Sequence, residues 1–144
     1  MKFKYRYLRD SSGSGHGYIR LPLLQVRLGY GTKLSNVVSL VDTGATDCLF
    51  DRDVADDLGI ALRDSDVKRE YFGVGGQSLT GHIHPIRLQI QGFSEWIELE
   101  VGFIDAPLPY QILGQSGFFD SYEISFQRYR GRFEIKSRSF LKRQ

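Results

Sequence analysis

The sequence predicts an all-β domain with one or two short helices. Two observations carry this. Apolar and polar residues alternate through most of the chain, which is the period of a strand. A single clear stretch shows helical spacing between helix-starting and helix-stopping residues. At 144 residues the chain is the size of one domain. A chain of that size can bury about 70% of its unfolded surface. It shows no internal repeat.

The elements follow in order. "MKFKYRYL" reads as one strand, with Phe3, Tyr5 and Tyr7 on one face and Lys2, Lys4 and Arg6 on the other. "SSGSGHG" (11–17) is a flexible connector, so residues 1–18 read as an N-terminal strand and linker. "YIRLPLLQVRLG" is a second strand region, in which Pro22 marks an edge or a start. "YGTK" is a turn, and "LSNVVSLV" a third strand. "DRDVADDLG" is the helix: Asp51 caps it, Asp53 suits its first turn, Val54 and Leu58 share a face, and Gly59 ends it. "KREYFGVGGQSLTGHIHPIRLQIQG" reads as a long hairpin tipped by glycines. "EWIELEVGFI" alternates again, and "YQILGQSGFFDSY" is an apolar strand end, a glycine and one helical turn. "EISFQRYRGRFEIKS" is a hairpin turning near Arg130 and Gly131. The main domain then spans 19–137, with a basic tail at 138–144.

Composition narrows the function. Net charge is +2, so no global field calls for nucleic acid. Residues 40–66 hold eight Asp against two basic residues, and 128–144 hold seven Lys or Arg against one Glu. Both runs read as solvated surface rather than as a nucleic-acid site. One cysteine excludes an intrachain disulfide. No stretch has the apolar core of a signal peptide or the length of a membrane span. The expectation is a soluble cytoplasmic protein with no membrane partner.

The informative stretch is "VVSLVDTGATDCLF" (37–50). An apolar strand runs straight into a carboxylate, and a buried carboxylate is costly unless bonded. Asp42 is therefore either a structural cap or a working acid. Downstream stand the glycine-tipped hairpin and Ile112-Leu113-Gly114, an apolar pair followed by glycine.

These three elements, in this order over roughly Ile19 to Ile135, resemble a retropepsin-like aspartic peptidase, the single-domain retroviral type. The resemblance implies a closed β-barrel with a flap hairpin, and an aspartic endopeptidase acting on polypeptides without a cofactor or metal. Asp42 would be the catalytic acid. Two carboxylates held about 3 Å apart cannot both ionise, so they share a proton. One then takes a proton from water while the other donates to the carbonyl oxygen. Thr43, Gly44 and Ala45 would support the catalytic loop, and Leu40 and Val41 would root it in the core. Tyr71, Phe72, Gly73, Val74, Gly75 and Gly76 would form the flap. Ile112, Leu113 and Gly114 would form the loop packed beneath the site. Only one Asp-Thr-Gly occurs, so the second aspartate must come from a second chain, making a homodimer. The N-terminal strand and "SRSFLK" are candidate interface segments. The rival reading is a non-catalytic dimeric peptide-binding module on the same fold.

Retroviral members usually pair an Asp after Asp-Thr-Gly-Ala with an Arg after the apolar-apolar-Gly element. Here those positions are Thr46 and Gln115, so no charge is stranded. Alternation points Asp47 away from that place. Cys48 reads as a small buried hydrophobe. His82 and His84 share a strand face and read as solvated rather than as metal ligands. Trp96 reads as core or interface.

Overall fold

In the computed structural model, which describes residues 1–10 and 17–138, the chain is almost wholly β. The expected linker lies largely at 11–16, outside the described residues, and the basic tail of 138–144 lies, apart from residue 138, outside them as well.

The first strands are β1 (Lys2–Lys4), β2 (Arg6–Arg9), β3 (Tyr18–Leu21), β4 (Leu23–Tyr30) and β5 (Lys33–Val41). β6 (Leu49–Asp51) leads into α1 (Arg52–Asp57), followed by β7 (Lys68–Phe72), β8 (Ser78–Ile90) and β9 (Ile97–Ile104). β10 (Gln111–Leu113), a π-type turn (Gln115–Phe119), β11 (Tyr122–Gln127), a 3-10 turn (Arg128–Arg130) and β12 (Arg132–Ser137) complete it. Asp51 caps α1 by accepting from Val54 N–H at 3.3 Å. Gly59 ends the helical segment with φ +70°, where a Cβ would strain the backbone.

Six strands close into a ring in the order β4-β5-β10-β6-β9-β8, with β8 returning to β4. The thirteen-residue β8 makes this closure possible. Its first half pairs with β7, its middle with β9, and its end with β4. The ring is filled by Leu24, Leu28, Phe50, Leu88, Ile90, Phe103 and Leu113, all fully buried. The N- and C-terminal segments form a second sheet, β1-β12-β11, which packs Tyr5, Phe133 and Ile135 against the same core.

The start of the chain is not one strand. Lys2–Lys4 pairs with β12, whereas Arg6–Arg9 pairs with β3. Tyr5 lies at the switch, buried, its N–H donating to Gly131 O at 2.8 Å. Tyr7 is consequently exposed rather than sharing a buried face with Tyr5. Pro22 likewise divides the second strand region into β3 and β4.

One feature of the topology positions the site. β10 inserts between β5 and β6, which are consecutive in sequence, and pairs parallel to β5. The 42–48 loop must therefore cross the end of β10 to reach β6.

Candidate active site

Asp42 leaves the end of β5 beside the end of β10, and its N–H donates to Leu113 O at 3.0 Å. The loop then turns back: Ala45 N–H donates to Asp42 O at 3.3 Å, and Gly44 N–H donates to Asp42 Oδ1 at 2.9 Å. The carboxylate is thus half-buried and aimed by its own loop rather than by a distant partner.

The crossing is close. A Cβ at Gly114 would overlap the carbonyl group of Asp47 and stand 2.9 Å from Ala45 O. Gln115 N–H donates to Ala45 O at 2.9 Å, and Ser116 N–H to Thr46 O at 2.8 Å. The Gln115 side chain donates to Thr43 O at 2.8 Å. A neutral amide therefore ties the loop from the position after Gly114. Leu113 is fully buried under the crossing, Val41 is buried, and Leu40 and Ile112 are half-buried. Thr43 and Gly44 are exposed and Ala45 half-buried. Asp42 and Thr43 line an open cleft of about 330 Å³ with Tyr5, Pro22, Leu40, Val41 and Phe126. The contributions of Tyr5 and Phe126 arise from the terminal sheet, and no local signal announces them.

Cys48 is fully buried, donating weakly to Ser116 O and accepting from Gly114 N–H at 3.4 Å. Burial pushes its thiol up to about 11, so it stays protonated at neutral pH.

Tyr71 and Phe72 end β7, and residues 73–77 form the tip, closed by Gly73 N–H donating to Gln77 O at 2.8 Å. Gly75 and Gly76 have φ +93° and +80°, which L side chains rarely adopt. Val74 is fully exposed and Phe72 largely so. Tyr71 behaves differently: it is half-buried and donates to Asp47 Oδ2 at 2.5 Å, while Arg69 Nη1 bonds the same oxygen. Burial, and next that hydrogen bond, push its phenol up, so Tyr71 remains a donor. Asp47 is only 5% exposed.

The histidines are not solvated, contrary to the sequence reading. His82 is buried and His84 half-buried, and His82 Nδ1 and His84 Nε2 lie 3.0 and 3.1 Å from the same Asp66 Oδ2. An ionised carboxylate only accepts, so both rings present an N–H to it. Arg63 N–H also donates there, at 2.8 Å. Trp96 is 38% exposed, with the Arg87 guanidinium 5.4 Å from its ring centre.

A family model described as aspartyl protease matches residues 25–116, which include the Asp42 loop, the β7–β8 hairpin and Gly114. No curated protein matches the chain.

Proposed function

We propose that this chain, which belongs to the aspartyl protease family, cleaves peptide bonds as a retropepsin-like homodimer with one Asp42 from each protomer. The observation that carries this is the Asp42 carboxylate itself: half-buried, fixed by Gly44 N–H at 2.9 Å and facing an open cleft, with one Asp-Thr-Gly per chain. The Gly44 bond alone would also suit a cap; the open cleft beside Asp42 and the family match over its loop favour the working acid.

In this reading the two carboxylates share one proton across a twofold axis. The ionised one takes a proton from the attacking water, and the protonated one donates to the substrate carbonyl oxygen. Thr43, exposed beside Asp42, reaches the opposite loop, and Gly44 and Ala45 hold the turn. Ile112, Leu113 and Gly114 support the loop from below, where glycine alone fits the crossing. The β7–β8 hairpin, Tyr71 to Gly76, acts as the flap, with glycines that permit opening.

The test is Asp42→Asn. Asn is nearly isosteric and can still accept from Gly44 N–H, so the variant should fold normally and lose cleavage of a peptide library by at least about 10³-fold. A wild-type chain that binds library peptides but cuts none would instead establish the non-catalytic binding module.

A further inference from the structure

We propose that Asp47, Arg69 and Tyr71 form a latch that positions the β7–β8 hairpin over the site. The proposal rests on the reading of that hairpin as the flap of a peptidase.

Three observations carry it. First, Asp47 belongs to the loop that holds Asp42, and both of its bonded partners come from β7. Arg69 and Tyr71 are two apart, so they share one strand face and reach the same oxygen, Asp47 Oδ2. Second, among the described residues β7 is the edge of the large sheet and pairs only with β8, so the latch joins the outer side of the hairpin to the Asp42 loop. Third, the ring of Tyr71 lies in a slot made by absent side chains. A Cβ at Gly81 on β8 would stand 2.5 Å from Tyr71 Cε2, and one at Gly102 on β9 would stand 2.9 Å from Tyr71 Oη.

The chemistry suits an element that moves. The Asp47 carboxylate is buried, but the Arg69 side chain is 55% exposed. Water can therefore compete for the bond. With the latch closed, the hairpin is already ordered when a peptide arrives. Without it, each binding event carries the cost of ordering the hairpin, which raises KM while the closed site and kcat stay the same.

Two variants break the latch by different routes. Tyr71→Phe removes the hydroxyl, and Gly81→Ala pushes the ring off Asp47. In each, nitroxides placed at Val74→Cys and Glu100→Cys report the distance from hairpin tip to barrel, while the native Cys48 is buried and stays unlabelled. The expected result is a broadened distance distribution in both variants. KM should rise about tenfold, the loss of a hydrogen bond to a charged group, with kcat within about twofold. Arg69→Lys should be milder than Arg69→Met on both readouts. Unchanged distance distributions in both variants overturn the latch, even if the melting temperature falls. A chain that cleaves nothing yet shows broadened distributions upholds the latch and defeats the peptidase reading.

Discussion

Gly114 lies against the backbone of Asp47: an added Cβ would stand 2.6 Å from the Asp47 carbonyl carbon and 2.9 Å from Ala45 O. Both obstacles are backbone, fixed by the Gln115-to-Ala45 and Ser116-to-Thr46 bonds, so neither can swing aside. Gly114→Ala should destabilise the fold by about 3 kcal/mol. Urea unfolding measures it. A loss below about 1 kcal/mol would show that the crossing relaxes freely.

Replacing Gly75 and Gly76 with Val should act differently. Both residues have positive φ, but nothing lies within 4 Å of a Cβ at either. The tip can reshape in open space, so global stability should fall by less than about 1 kcal/mol. Turnover should drop, because the reshaped tip no longer fits over bound peptide. Steady-state kinetics alongside urea unfolding separate the two effects; unchanged kinetics would remove the tip from the mechanism.

Acid should weaken the Asp66 cluster. The Arg63 N–H foremost, then His84 and His82, hold the Asp66 carboxyl down at about 2. An unfolded aspartate titrates at about 3.9. The folded value is lower, so this stabilisation is present above about pH 4 and is lost as pH falls toward 2. Wild-type melting temperature should decline across that window. Asp66→Asn should be less stable at neutral pH and flatter between pH 4 and 2. Parallel curves for the two proteins would remove Asp66 as a source of acid sensitivity.

The parts of the fold that were legible are those set by local pattern. The alternating run that ends at Val41 placed Asp42 at a strand end, and Asp51 and Gly59 bounded the helix. What was not legible depended on partners distant in sequence. Alternation runs unbroken through residues 2–7, yet the pairing changes at Tyr5, with β12 taking the first half and β3 the second. Nothing near His82 and His84 reveals Asp66, which meets them only because the 61–67 segment folds back over β8, with Ile83 N–H bonded to Val67 O at 2.8 Å. Asp47 and Arg69 are 22 residues apart and meet through the loop crossing at Gly114. Nothing in the sequence around Asp47 announces either partner.

If one working site needs two copies of Asp42, mixing wild-type and mutant chains reveals it. Wild-type and Asp42→Asn chains are co-refolded in varied ratios at fixed total concentration, and peptide cleavage is measured. If each site takes one aspartate from each protomer, mixed dimers are inactive and activity follows the square of the wild-type fraction. An equal mixture then retains about one quarter of the activity. A linear dependence, with about one half retained at equal mixing, would show that a single Asp42 suffices and would contradict the shared site.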